Sequence, residues 1–293
     1  MRILVTGASG LLGSSFAIKF ASRHEIHSVY HKHDPPAGIP VKLDLTEFNM
    51  LDEVFSSIRP DAVLHAAALT DVDLCEREKE LAMKVNYDVT ARLASLAKEH
   101  NAFMVYVSTD YVFDGTKGLY TEDDKPNPIN HYGYSKLKGE EVTERIAEQS
   151  CIARASVIYG SRPSAGKVNS ALWLIEKLRR RERVNVLVDQ HISPTLSSDL
   201  AEMLNEVIQR GLTGIYHLSD ATRVSRYEFA QRLCDVFGLD SSLLNSARMK
   251  DMNWTARRPM DSSLDVSKAM RTLNAKPLNI GDALSQLKEE LGS

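Results

Sequence analysis

The sequence predicts an α/β protein: a doubly wound parallel sheet followed by a smaller C-terminal lobe. Three observations predict it. Strand-like and helix-like segments alternate through the first 160 residues, which calls for a parallel sheet covered on both faces. A glycine-rich turn at Gly7 joins a short apolar run directly to a helix-like stretch. After Gly160 the rhythm changes to short strands, helices and loops, the pattern of a lobe that closes over a ligand.

Ile3–Val5 is the first strand, and Leu11, Leu12, Phe16, Ile18 and Phe20 mark the helix after it. Ile26–Tyr30 and Pro40–Leu43 follow as strands, the latter ending at Asp44. Ala62–Ala66 is apolar and short enough for a buried strand. Leu81, Val85, Val89, Leu93 and Ala97 recur every four residues and predict one face of a long helix. Phe103–Val107 is β-branched and aromatic, which suits a strand. Tyr134–Glu148 reads as helix and Cys151–Tyr159 as strand. Arg162-Pro163-Ser164-Ala165-Gly166 is a turn-rich break before a helix carrying Leu172, Ile175 and Leu178. Strands near 184–188 and 214–218 are expected to complete the sheet, with a helix bearing Leu200, Leu204 and Val207 between them. Gly211 stands where a helix C-cap glycine belongs, and Ser225 with Glu228 has capping-box spacing. Residues 1–160 thus form a nucleotide-binding domain, and 161–293 mainly a substrate lobe.

Composition narrows the function. Of 293 residues, 36 are Lys or Arg and 39 Asp or Glu, a net charge of −3. So balanced a chain lacks the basic domain that marks nucleic-acid binding. No apolar run approaches the ~18 residues that span a bilayer, so no membrane partner is expected. The run at Ile3–Val5 stops at Gly7, too short for a secretory leader. Cys75, Cys151 and Cys234 are far apart and lack zinc-ligand spacing. A reducing cytoplasm and no metal are expected.

Thr6-Gly7-Ala8-Ser9-Gly10-Leu11-Leu12-Gly13 is a GxxGxxG turn between strand and helix. It is one residue longer at its first gap than the GxGxxG dinucleotide fingerprint of Rossmann folds, but the physics carries over. Gly7 permits the tight turn, Gly10 lets backbone approach a pyrophosphate, and Gly13 lets helix pack on sheet. The helix N-terminus offers free N–H groups to the anion. Ser9, Leu11 and Leu12 belong to the same expected cofactor contact. At the end of the second strand stand Tyr30-His31-Lys32-His33 rather than an acid. His31 and Lys32 therefore favour the 2′-phosphate of NADP(H), with NAD(H) the alternative. Asp44, with Leu45, is expected beside the adenine. Ala66, Ala67 and Ala68 leave room along the cofactor.

Tyr132 and Lys136 are one helical turn apart and share a face. A tyrosine is a weak acid near pH 7, and a neighbouring ammonium is expected to lower its pKa. Tyr132 could then shuttle a proton to or from a carbonyl oxygen while hydride moves between cofactor and carbon. Ser108-Thr109-Asp110 closes the preceding strand at its carboxyl end, where such sheets place their ligands. A hydroxyl there can share the charge of the reacting oxygen.

These residues together resemble the extended short-chain dehydrogenase/reductases, and among them the dTDP-4-dehydrorhamnose reductases. Ser108-Thr109-Asp110-Tyr111-Val112-Phe113-Asp114-Gly115 is the most specific match, followed by Pro126–Glu140, Arg154, Tyr159-Gly160, Asp189-Gln190 and Arg258-Pro259. The resemblance implies Thr109, Tyr132 and Lys136 as the catalytic trio. It implies Asp110, Tyr111 and Arg258 near the sugar, and Tyr132 and Lys136 near the cofactor. The implied reaction is NAD(P)H-dependent reduction of a 4-keto group on a nucleotide-linked deoxysugar. Two departures stand out: Val157-Ile158 replaces a tryptophan, and His191-Ile192-Ser193 replaces a glycine turn after Asp-Gln.

Other readings compete. Dehydration calls for an acid pair, whereas Asp110 is followed by Tyr111; epimerisation needs only the trio. The same segments also resemble the regulatory β subunit of methionine adenosyltransferase, a binding protein without turnover, although all three catalytic positions are filled here. His65 reads as a hydrogen-bonded core histidine. The basic cluster Lys177 to Arg183 reads as a solvated helix end. Trp254 is the better sugar-stacking tryptophan, and Asn86 is expected to bridge backbone groups near the site. The helices around 81–97 and 132–146 are those that resembled proteins pair, so a homodimer is expected.

Overall fold

The computed structural model describes residues 1–163 and 168–292. In the first half β1 (Arg2–Thr6), α1 (Leu11–Phe20), β2 (Glu25–Tyr30), β3 (Ile39–Lys42), α2 (Phe48–Ile58) and β4 (Ala62–His65) succeed one another. Then come α3 (Val72–Arg77), α4 (Lys79–Met83), α5 (Val89–Glu99), β5 (Phe103–Thr109), α6 (His131–Ile146), β6 (Ser150–Ala155) and β7 (Ile158–Tyr159). The remainder holds α7 (Ser170–Arg179), β8 (Val184–Leu187), β9 (His191–Ile192), β10 (Thr195–Leu196), α8 (Ser197–Arg210) and β11 (Gly214–His217). It ends with β12 (Val224–Ser225), α9 (Arg226–Phe237), β13 (Leu244–Ala247), α10 (Ser267–Thr272) and α11 (Ile280–Glu290).

The doubly wound fold is present. Seven strands run in the order β11-β6-β5-β4-β1-β2-β3, every pairing parallel. β1 explains why its run is uninterruptedly apolar. Successive side chains point to opposite faces, and both faces are covered: Ile3 and Val5 pack with Phe16, Phe20 and Leu204 on one side. Leu4 packs with Phe55, Leu93 and Tyr106 on the other. Each fully buried phenylalanine contributes roughly 2–3 kcal/mol of apolar transfer. The strand order reverses between β1 and β4, which opens a crevice beyond their carboxyl ends.

Both edges of the sheet are blocked. Edge strand β3 carries Pro40, which has no N–H to offer a further strand. On β11, Glu122 accepts from the His217 N–H at 2.9 Å and the Lys268 ammonium donates to the Ile215 carbonyl at 2.6 Å.

A second core joins Tyr159, Leu174, Val184, Phe229 and Leu284. Here the structure corrects the expectation that the strand near 184–188 completes the sheet: β8 pairs with β13 in a separate two-stranded sheet. Its apolar residues serve the second core instead. The strand expected over Cys151–Tyr159 is two strands, because the chain turns at Val157, whose φ is +38°. The long helix expected from Leu81 onward contains a π-helical turn, Lys84–Asp88. That turn breaks the four-residue register, so Leu81 is exposed while Val89 and Leu93 are buried. Positions 164–166 of the expected break lie outside the described residues. Gly211 adopts the left-handed C-cap, and Ser225 and Glu228 form the capping box. No helix among the described residues is long and apolar enough to cross a membrane.

Candidate active site

The crevice beyond β1, β4 and β5 is a cleft of ≈ 730 Å³. The glycine turn forms its floor. Gly7 has φ +68°, and a Cβ there would lie 2.8 Å from the Ala67 nitrogen; one at Gly13 would lie 2.4 Å from the Gly7 carbonyl oxygen. The turn therefore sits hard against the Ala66–Ala67 backbone, and α1 hard against the turn. Gly10 is the N-cap of α1 and makes no side-chain cap, so the first N–H groups of a ten-residue helix face the cleft uncapped. Those features, with no side chain in the way, fit the pyrophosphate of a dinucleotide. Ser9, Leu11 and Leu12 line the cleft with the glycines.

Farther along, His31, Lys32 and His33 line the same cleft, opposite Asp44 and Leu45. His31 stands 3.7 Å from the Asp44 carboxylate. The Thr46 N–H and hydroxyl both donate to Asp44, holding its carboxyl below the ordinary value. Asp44 is thus an anion already bound to its own loop. Ala66, Ala67 and Ala68 form the wall between this end and the reacting end.

At the reacting end, β5 delivers Ser108, Thr109 and Asp110, and α6 delivers Tyr132 and Lys136. The start of α6 is set by Asn130, whose side chain accepts from the Gly133 N–H at 2.8 Å and donates to the Arg257 carbonyl at 2.9 Å. Burial raises the Tyr132 phenol above its ordinary value, and the Thr109 hydroxyl facing it draws it part of the way back. This corrects the expectation that Lys136 makes the phenol more acidic. Lys136 is only 2% exposed, and burial lowers it from 10.5 to about 7. Its ammonium donates to the Val107 carbonyl at 2.8 Å and lies 4.0 Å from the Tyr106 ring centroid. One helical turn does put both residues on the cleft wall, but the ammonium is turned toward the sheet.

Asp110 also lines the cleft, yet its carboxyl is occupied. Thr109 donates to one oxygen at 3.1 Å, and Ser156 (2.9 Å) and Ser262 donate to the other. Burial raises its pKa, and the three hydroxyls oppose that shift. Tyr111 packs edge-on against Tyr132, ring centroids 5.9 Å apart. Arg258, expected near the sugar, has its guanidinium paired with Asp73 at 3.0 Å and 5.0 Å over Trp254, and its charge is felt by Tyr111. That pairing fastens the 254–258 segment to α3 and uses both the arginine and the tryptophan face.

Around the trio the supporting contacts are complete with one exception. Asn86, in the π-helical turn, accepts from the Leu69 N–H at 2.8 Å and donates to the Leu69 carbonyl and the Ser135 hydroxyl. His65 is a core histidine, bonded to Thr6 and Thr90 and lowered to about 3 by burial. The exception is Ser108, whose buried hydroxyl has no hydrogen-bond partner and lines the cleft. Such an orphan fits a polar atom of a bound ligand. Ser108 was legible from its place at the strand end. Val157 and Asn169, which also line the cleft, carry no such signal, because they reach it through a turn and a helix cap. Among the described residues no cluster of three or more His, Cys, Asp or Glu could hold a metal.

Comparison with known proteins agrees with this geometry. The family model described as RmlD substrate binding domain matches residues 1–292. The chain is similar to a probable low-salt glycan biosynthesis reductase of Haloferax volcanii, 33% identical over 292 residues, 98% of this chain and 97% of that protein. It is also similar to methionine adenosyltransferase 2 subunit beta of Danio rerio, 31% identical over 277 residues, 91% of this chain and 83% of that one. Among solved structures, dTDP-4-dehydrorhamnose reductase from Bacillus anthracis str. Ames, in complex with NADP, superposes with a TM-score of 0.88. That protein is 29% identical, and the match covers 99% of both chains.

Proposed function

We propose that this chain, which belongs to the RmlD substrate binding domain family of extended short-chain dehydrogenase/reductases, is an NAD(P)H-dependent reductase of a 4-keto group on a nucleotide-linked deoxysugar, of the dTDP-4-dehydrorhamnose reductase type. The observation that carries this reading is the shared cleft: the glycine turn at one end, Thr109 and Tyr132 at the other. Hydride for the keto carbon is the chemistry that NADPH supplies when bound. The uncapped N-terminus of α1 would hold its pyrophosphate, and His31 and Lys32 its 2′-phosphate.

The chain's own residues handle the proton. Tyr132 has a pKa held up by burial, so the phenol keeps its proton near pH 7 and can hand it to the keto oxygen as negative charge develops there. Thr109, whose own proton is on Asp110, lies beside the phenol and orients it. Lys136, on the same helix face and bonded to the Val107 carbonyl, is the residue that would hold the cofactor ribose. Tyr111 and Asp110 would border the sugar from the cleft wall, with Arg258 behind Tyr111.

The test is NADPH consumption with purified 4-keto-6-deoxy nucleotide sugars. Turnover with such a substrate is expected. Stable association with a methionine adenosyltransferase and no NADPH consumption would overturn the reading in favour of a regulatory subunit. We further infer a cytoplasmic homodimer formed through α4, α5 and α6; Leu81 and Tyr134, large apolar side chains on these helices, are exposed.

A further inference from the structure

Ser262 lies in the C-terminal lobe, far in sequence from the reacting groups, and is completely buried. Its backbone is fastened to the lobe: the Ser262 N–H donates to the His191 carbonyl at 3.1 Å, next to the Asp261–His191 bridge. Its hydroxyl crosses to the nucleotide-binding half and donates to the carboxyl of Asp110. Ser156, at the end of β6 and equally buried, donates to the same oxygen at 2.9 Å. The other Asp110 oxygen receives the Thr109 hydroxyl at 3.1 Å, and Thr109 in turn accepts the Tyr111 N–H at 3.2 Å.

A hydroxyl has one proton and two lone pairs. With its proton on Asp110 and one lone pair on the Tyr111 N–H, Thr109 has a single lone pair left, and its neighbour is the Tyr132 phenol. The orientation of Thr109 is therefore set by where Asp110 points. Two serines from different parts of the fold determine that.

We infer that Ser262 is a positioning residue for Thr109: together with Ser156 it pins the Asp110 carboxyl, which holds the Thr109 oxygen beside the Tyr132 phenol. The inference rests on the reading of Tyr132 as the group that protonates the keto oxygen and of Thr109 as the residue that orients it. It assigns the lobe a part in the chemistry beyond covering the cleft.

A double-mutant cycle tests it, using Ser262→Ala, Thr109→Ala and the combination in the full chain. Ser262→Ala is expected to lower kcat about tenfold, while KM for the keto sugar changes less than about twofold, as for contacting residues that act as a unit. NADPH affinity, read by fluorescence titration, stays at the parent value. In the Thr109→Ala background the further loss from Ser262→Ala shrinks to less than about twofold. An equal loss in both backgrounds, or an effect on KM or NADPH affinity alone, overturns the inference while leaving the proposed function standing. Undiminished turnover of Thr109→Ala overturns that function and this inference with it. If Ser262→Ala fails to fold, Ser262→Cys takes its place in the cycle, since it keeps the side chain's size and weakens the donor.

Discussion

Residue by residue, the site divides into groups that face the cleft and groups that hold them. Tyr132 faces it. Replacing it by Phe removes the proposed proton donor and leaves the ring, so turnover is expected to fall by about 10²–10⁴ with NADPH affinity almost unchanged; stopped-flow reduction and fluorescence titration read the two. Lys32 lines the other end, and Lys32→Asp is expected to weaken NADPH more than NADH by titration, because it sets a carboxylate against the 2′-phosphate. Much of this was legible from the sequence, for a local reason. The glycine turn, the Tyr132–Lys136 spacing and the strand-end Ser108–Asp110 each depend on residues within one turn or strand. The pairing of Arg258 with Asp73 was not legible, because the two lie 185 positions apart and no local pattern announces the pair. The sense of the phenol's shift was missed for a related reason: spacing reveals a neighbour but not the burial that outweighs it.

Among the elements, the helix beginning near Leu81 shows where periodicity misleads. A four-residue repeat predicts one continuous face, yet the π-helical turn inserts extra rotation at Lys84–Asp88. Such turns recur at functional sites, and this one has a use. It presents Asn86 so that one side chain satisfies both backbone groups of Leu69 and reaches Ser135 on α6. The cleft wall from Ala66 to Thr70 is thereby tied to the helix bearing Tyr132. Asn86→Ala leaves buried polar groups unpaired, and a loss of roughly 2–3 kcal/mol in urea unfolding is expected. A weaker hold on NADPH should accompany it. A second tie, the buried pair between Arg154 of β6 and Glu140 of α6 at 2.6 Å, fixes the same helix from the other side. Removing one partner of such a pair leaves an uncompensated charge.

For the molecule as a whole, the fold class follows from alternation alone, whereas the strand order and the second core do not, since β8 reads locally like any sheet strand. That second core meets the sheet near Asp199 and Asp220, two buried carboxyls. Burial raises Asp199 from 3.8 to about 6, and one of its oxygens has no hydrogen-bond partner. A carboxyl that binds its proton more tightly when folded makes stability fall as pH rises from about 4 through about 6, and the penalty is complete above that. Asp199→Asn is therefore expected to be more stable than the parent at pH 7.5, by on the order of 2 kcal/mol. The difference should close by pH 4, as thermal melts across that range will record. For assembly, sedimentation is expected to give a dimer, and charge placed at the exposed Leu81 and Tyr134 should dissociate it.

The blocked margins of the sheet bear on that last point. Amyloid growth and strand exchange both need an unpaired backbone rim on which another chain can register. Here one rim ends in a ring that cannot donate, and the other has a carboxylate and an ammonium already seated on its outward groups. Strand addition at the margins of this sheet is thereby disfavoured, whereas its helical flanks allow an association that is finite and reversible.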